Sequence, residues 1–526
     1  MNSKTGNTMK YPIGIQTFSE IITQGYVYVD KTEHVYNLAH GGKYYFLSRP
    51  RRFGKSLLVS TLDAYFSGKK ELFKGLAIEK LEQDWAILPV IRLDLSGQNF
   101  STKKNFHECM SYVFGRQEGA YGLDNKGEVE SVRFNKLLQA AHDQTGKPVV
   151  ILIDEYDKPI VDNLDNPELM DYCRQNLQSI YGVMKSNDAI IRMGFLTGVS
   201  KIGKLSVFSG LNNLMDISLM SRYNDICGIS ESELHKYFDE EIQAFAGKLK
   251  ISKEECYGRL KEQYDGYRFS DEETEGIYNP FSLLNALYAK SIKDYWFETG
   301  TPTMLIKGLK KTDADLSCLE NYMAKASVLS SANADSPDPV SLLFQSGYLT
   351  IKDYQPRRDA YVIGFPNGEV RNGFFDCLLA NYVNQKADTS SNAIFDIEDC
   401  LMEGDAEGFM TRLSAFIANI SYELQADVEK DLQNVLFVIC ELLTNDKIDI
   451  EAERRTSNGR IDLFIKTEKY IYIIEIKLDG TAEEALKQIE EKEYAAPFAS
   501  DQRQIIKIGV NFDKDTRRLG EWVVVG

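Results

Sequence analysis

Short apolar runs separated by amphipathic stretches fill the first part of the chain. YYFL (44–47), VIRLDL (90–95), VVILID (149–154) and RMGFLTG (192–198) are continuous enough to be buried strands. Stretches such as 55–67 and 166–186 between them have helical spacing. Strand and helix in alternation predict a mostly parallel sheet with helices on its faces. From about residue 230 the pattern turns largely helical, interrupted by the loop-like LSSANADSPDP (329–339). It changes again near 425. An amphipathic helix over 428–444 precedes strand-like IDLFIK (461–466) and YIYIIEIK (470–477). A Glu/Lys-rich helix over 482–496 and a last strand, QIIKIGVNF (504–512), follow. The expected fold is α/β in three parts: a parallel-sheet domain over 1–230, a helical middle region over 231–424 and a smaller α/β domain over 425–526.

Composition narrows the classes of function. The 526 residues are 43% hydrophobic, enough for sizeable cores. Acidic residues outnumber basic ones, 78 to 61, for a net charge of −17. Such a chain is no general nucleic-acid binder, because phosphate contacts need clustered Lys and Arg. A local basic groove stays open to it. No run of about 18 apolar residues is present, so no membrane span is expected. The polar MNSKTGNTMKYPIG at the start has no signal-peptide core. Eight scattered cysteines without a CxxC pair suit reduced thiols in a cytoplasm. All five histidines lie at or before His235. A metal held later in the chain therefore needs oxygen ligands, which suits Mg²⁺ or Mn²⁺.

The first candidate site follows the strand at 44–47. SRPRRFGKS (48–56) runs from it into an amphipathic helix, and FGKS is the end of a P-loop. Arg51, Arg52, Phe53, Gly54, Lys55, Ser56 and Leu57 form the expected phosphate cradle. Gly54 permits the tight turn, Lys55 reaches the β- and γ-phosphates of ATP, Ser56 ligates Mg²⁺, and the helix N-terminus favours the anion. The motif departs from G-x-x-x-x-G-K-[ST] at its first position, where Arg49 stands. Arg49, Arg51 and Arg52 are either phosphate contacts or parts of a solvated basic loop. VVILIDEYD (149–157) then ends in Asp154-Glu155, a Walker B pattern. Asp154 is expected to hold the Mg²⁺ shell and Glu155 to activate the attacking water. Two such elements about 100 residues apart, with a strand between them, are a poor coincidence. Thr197, at the end of a later strand, either senses the γ-phosphate or satisfies its hydroxyl locally.

Longer strings carry a family resemblance. YPIGIQTFSEIITQGYVYVDKT (11–32), FLSRPRRFGKSLL (46–58), VVILIDEYDKPI (149–160), YDGYRFS (264–270), YNPFSLLNAL (278–287), YWFETGTPT (295–303) and LLFQSGYLTI (342–351) resemble the bacterial AAA-ATPase-like proteins. The resemblance spans nearly the whole chain. It implies an ATPase core in which an Arg-rich loop replaces the first glycine. Many of these proteins end in a nuclease-like domain of the PD-(D/E)XK class.

The C-terminal residues can be read in the same terms. GRIDLFIKTEKYIYIIEIK (459–477) predicts a hairpin in which Glu475 and Lys477 share one face. Asp462 on the partner strand can approach that face, giving the D…E-x-K arrangement. Asp462 and Glu475 are the expected Mg²⁺ ligands, and Lys477 the group that stabilises developing charge. Glu429 is a further candidate ligand, and Gln488 with Tyr494 resembles the Q…Y element of some members. A charged cross-strand set on the surface is the plain alternative. Residues 425–526 hold 15 basic and 21 acidic residues, so DNA or RNA there would need Arg454, Arg455, Arg460 and Lys487 gathered together. Two functions stay open: an enzyme coupling ATP to nucleic-acid cleavage, or a nucleotide-regulated interaction protein whose nuclease-like domain does not cleave. Oligomer formation is compatible with both.

Overall fold

The computed structural model describes residues 9–526 except 202–203, 209–212, 273–274, 298–305, 307–315, 317–318, 331–338, 384–386, 419–427, 446, 457–458, 515 and 517. The chain forms two compact units, 1–299 with 320–370 and 300–319 with 371–526. The stretch between the two sheet regions is thus divided between the units.

The first unit is built on five parallel strands: β1 (Tyr44–Ser48), β2 (Val90–Asp94), β3 (Val149–Asp154), β4 (Ile191–Gly198) and β5 (Leu214–Asp216). Their order is β2-β3-β4-β1-β5. β1 and β3 are buried at every position, which is why they read as unbroken apolar runs. Helices Lys55–Phe66, Lys103–Glu118, Glu130–Thr145 and Pro167–Ser186 form the connections. β4 lies between β1 and β3, and the crossovers that leave β1 (to β2) and β4 (to β5) run in opposite directions, a switch in the sheet. Side chains at the ends of β1, β3 and β4 converge at this switch. β5 is short and only half-buried, and its alternation was too brief to be legible.

The middle of the chain is largely helical, as its spacing predicts. Helix Glu231–Leu249 starts in a capping box between Ser230 and Glu233. It packs with Lys253–Tyr264 and Pro280–Ala289 around Leu234, Phe238, Ile242, Leu260 and Leu283. This region also contains strands that the pattern did not announce. β6 (Ile229–Ser230) pairs with β7 (Ile277–Tyr278). β8 (Tyr322–Lys325), β9 (Thr350–Gln355) and β10 (Ala360–Gly364) form an antiparallel sheet in the order β8-β10-β9.

The second unit contains helices Ala387–Glu403, Ala406–Ile417 and Val428–Leu443 and a five-stranded mixed sheet. The strands are β11 (Asp449–Thr456), β12 (Gly459–Lys466), β13 (Tyr470–Leu478), β14 (Gln504–Asp513) and β15 (Arg518–Val525), in sequential order. β13 and β14 are parallel, joined over helix Ala482–Glu491; the other pairs are antiparallel. That helix begins in a Thr481–Glu484 capping box and stops at Glu491 rather than at 496. Glu493 turns left-handed, and Pro497 follows in a 3-10 turn. No helix among the described residues is long and apolar enough to cross a membrane.

Candidate functional site

Ser48 at the end of β1 leads through residues 49–53 to Gly54, whose φ of 95° starts the helix Lys55–Phe66 from a left-handed turn. Lys55 is buried, and its Nζ donates to Arg49 O and Pro50 O, both at 2.9 Å. Two of its three N–H donors are so used. Burial pushes the ammonium's pKa down, while the charges of Glu155 and Asp154 push it back up. Ser56, the next residue of the helix, is half-buried, as is Leu57.

Asp154 ends β3 and is 0% exposed. Its Oδ1 accepts a 2.6 Å bond from Thr197 Oγ1, while Oδ2 has no hydrogen-bond partner among the described residues. The register explains the meeting: Thr197 stands beside Leu47 of β1, and its neighbour Leu196 beside Ile153 of β3. A buried carboxylate oxygen without a partner is costly unless a cation meets it. Asp154 Oδ2 and the Ser56 hydroxyl are hard oxygen donors of the kind Mg²⁺ takes, so these residues fit that ion. Glu155 follows in left-handed backbone, φ 53°, a costly conformation for a residue with a side chain. Burial pushes its carboxyl up, with Lys55 opposing. Asp157 accepts from Ser200 N (2.7 Å), Ser200 Oγ (2.8 Å) and Val199 N (3.3 Å), fastening the loop after β4. Sequence reasoning did not single out Asp157; its place one turn beyond the acidic pair was the available signal.

The arginines of the loop divide. Arg49 does not reach toward phosphate. Its guanidinium is buried, donates to Ser218 O (2.7 Å) and Tyr223 O (2.8 Å), and lies 3.9 Å from the Phe269 ring centre. A fork pinned by backbone carbonyls and an aromatic face is a structural pillar. Arg51 and Arg52 are exposed at the loop tip, Arg52 lying 4.7 Å from the Phe281 ring centre. The Phe53 ring is buried against Tyr267 and Phe269, so only its backbone can serve a phosphate. Two further arginines of this unit are engaged elsewhere: Arg192 donates to Ala39 O and Arg222 to Asn37 Oδ1.

In the second unit, the β12–β13 pairing ends with Leu463 opposite Ile474, and Asp462 and Glu475 are the next residues on either strand. Asp462 Oδ2 accepts a 2.8 Å bond from Ile476 N. Glu475 is 3% exposed; its Oε1 accepts from Gln488 Nε2, and Oε2 has no partner among the described residues. Gln488 Oε1 in turn accepts from Lys477 Nζ, so one amide joins the carboxylate to the ammonium. Burial first, and Asp462 second, push the Glu475 carboxyl up to about 7. Tyr494 OH donates to Arg460 O at 2.8 Å, which anchors the end of the helix to β12. Two adjacent carboxylates, one with a bare buried oxygen, fit a divalent ion that keeps waters in its remaining positions. The side chains of Glu429 and Arg455 lie outside the described residues. Arg454 pairs with Glu451 and stacks on Phe464, and Lys487 pairs with Glu491.

Sequence comparisons agree with this division. A family model described as "Predicted AAA-ATPase" matches residues 12–208. One described as "PD-(D/E)XK nuclease superfamily" matches residues 427–522. A relative from Azotobacter chroococcum mcd 1, described as "Uncharacterized protein in vnfD 5'region", is 36% identical over 526 residues, covering 98% of this chain and 98% of its own.

Proposed function

We propose, from the premise that this chain belongs to the AAA-ATPase-like proteins ending in a PD-(D/E)XK nuclease-superfamily domain, that it hydrolyses ATP in its first unit and cleaves nucleic acid in its second. The observation that carries the ATPase reading is the Asp154–Thr197 pair with its bare Oδ2, beside the loop that presents Lys55. Lys55 binds the β- and γ-phosphates with the donor its loop carbonyls leave over. Backbone N–H groups of 53–56 and the start of the helix bind phosphate oxygens. Ser56 and Asp154 would hold Mg²⁺, and Thr197 orients Asp154 by donating its hydroxyl hydrogen bond to Oδ1. Glu155 takes the proton of the attacking water, a role suited to a carboxyl that burial makes more basic than usual. In the second unit Asp462 and Glu475 would hold the ion, and Lys477, steered by Gln488, faces the charge that develops at phosphorus. Mg²⁺ at either site supplies positive charge against phosphate oxygens and makes water more acidic.

A second reading keeps the ATP site and makes the second unit a non-cleaving interaction module. Its support is the pairing of Arg454 and Lys487 with acidic neighbours, which spends the charge a nucleic-acid groove needs. One experiment separates them. Purified protein is incubated with Mg²⁺ and single- and double-stranded DNA and RNA, with and without ATP, while phosphate release and strand length are followed. Cleavage that vanishes with Asp462→Asn supports the first reading. Phosphate release without cleavage of any of the four supports the second. Loss of neither ATP binding nor turnover in Lys55→Ala rejects the ATP site itself.

A further inference from the structure

The loop 49–53 lacks the glycine that usually lets a phosphate loop set its own shape, and it is gripped from outside at four of its five residues, 49, 50, 51 and 53. Arg49 is buried on Phe269. Pro50 lies against Gly347: a Cβ there would sit 2.5 Å from two atoms of the proline ring. Gly347 also has φ 89°, so both space and backbone call for glycine. The carbonyl of Arg51 accepts a 3.2 Å bond from Trp296 Nε1. Phe53 packs edge-on to Tyr267 and Phe269. The gripping residues come from three separate strings, YDGYRFS, YWFETGTPT and LLFQSGYLTI, that the proposed chemistry leaves unused.

The same elements reach the other side of the site. Gln345, buried two residues before Gly347, accepts a 2.7 Å bond from Lys201 N with its Oε1. It donates to Leu329 O and Ser341 Oγ, both at 3.1 Å. Lys201 directly follows Ser200, which Asp157 holds. The end of helix Pro339–Ser346, with Gly347 just past it, therefore touches the phosphate loop through Pro50 and the loop after β4 through Lys201. Trp296 is itself fixed, its backbone N–H donating to Glu369 Oε1 at 2.6 Å and its ring meeting Tyr348 and Phe297.

We infer that Trp296, Gln345 and Gly347 are positioning residues of the ATP site: they hold the carbonyls of Arg49 and Pro50 against Lys55 and so set where its ammonium meets phosphate. This rests on the proposal that ATP binds at Lys55. The reasoning is steric and local. A loop already held in its binding shape need not be ordered when phosphate arrives, and each removed hold returns that cost to the binding step. Because the indole N–H is bonded to the phosphate loop itself, its surroundings change when phosphate is bound one or two residues away.

Trp296→Phe keeps an aromatic ring beside Tyr348 while removing the Nε1–H donor and part of the ring's volume. It is expected to weaken ATP affinity about three- to tenfold, the range for one hydrogen bond, with folding and the kcat of bound ATP little changed. Gly347→Ala, which presses on Pro50, is expected to act in the same direction. The readout that a merely structural role would not move is the emission of Trp296 alone, in the full chain carrying Trp85→Phe and Trp522→Phe. ATP–Mg²⁺ is titrated against that emission and, separately, in a calorimeter. Matching saturation curves, both lost in Lys55→Ala, support the brace. Calorimetric binding with unchanged Trp296 emission, or wild-type affinity in both folded variants, overturns it and leaves the ATP site standing. No heat from the chain with all its native residues overturns the ATP site and the brace with it.

Discussion

Two carboxylates, Asp154 and Glu475, each keep one oxygen in a hydrogen bond and one bare in a buried place. Their neighbours set different chemistry. Glu155 follows Asp154 in strained backbone, and its Gln variant keeps that shape while losing the base. Glu155→Gln is expected to bind ATP normally and release phosphate about 10²-fold more slowly, the scale of general-base loss. Phosphate release at saturating ATP checks this, and undiminished turnover would reduce Glu155 to a structural residue. Burial, and Asp462 beside it, push the Glu475 carboxyl up from the ordinary 4.5 to about 7. The fold disfavours its charged form, so this group costs nothing below the ordinary range and removes stability as pH rises from about 4.5 through about 7. A divalent ion competes with that proton. Mn²⁺ affinity is therefore expected to rise about tenfold per pH unit below neutrality and to level above it. Calorimetric titration of an Asp154→Asn chain, which silences the other site, measures this. Glu475→Gln should abolish the dependence, and an affinity independent of pH would show that Glu475 does not hold the ion.

At the scale of elements, each site depends on how closely a helix approaches a strand. β14 runs beside β13, with Gly509 next to Glu475. A Cβ at Gly509 would lie 2.2 Å from Ala482 O and 2.5 Å from Leu486 N, both backbone atoms of helix Ala482–Glu491. That helix carries Gln488, so glycine at 509 is what lets the amide reach Glu475 and Lys477. Gly509→Ala should push the helix outward, cost about 1–3 kcal/mol of stability through overpacking, and separate Gln488 from the carboxylate. Weaker Mn²⁺ binding with unchanged ATP affinity is the expected result. Retention of full Mn²⁺ affinity would mean that Gln488 has no part in the site. In the first sheet the equivalent event is the insertion of β4 between β1 and β3, which brings Thr197 to Asp154.

At the scale of the molecule, two units with separate cores carry one candidate site each. Asp462→Asn should leave ATP affinity within about twofold, and Lys55→Ala should leave Mn²⁺ binding at Glu475 equally unaffected, as for sites without shared partners. Titrating both ligands against both variants tests this, and a large cross-effect would show that the sites are coupled. The candidate site residues could be proposed from the sequence because phosphate and metal chemistry demands particular side chains at fixed spacing. Gly54-Lys55-Ser56, Asp154-Glu155 and Glu475-x-Lys477 are such strings, and buried strands such as VVILID declare themselves by being apolar throughout. Short or polar strands did not: β5, β8 and the charged β11 owe their conformation to a neighbour's backbone rather than to their own pattern. What only tertiary structure decided is which side chains meet across long separations. Arg49 was open to phosphate contact or to a place in a solvated loop and is instead a buried pillar, because Phe269 and two distant carbonyls surround it. Trp296 and Gly347 carried no chemical signal, since a brace needs only shape and one donor in the right place. Local sequence specifies the groups a site requires; the distances between them come from packing, which no single segment contains.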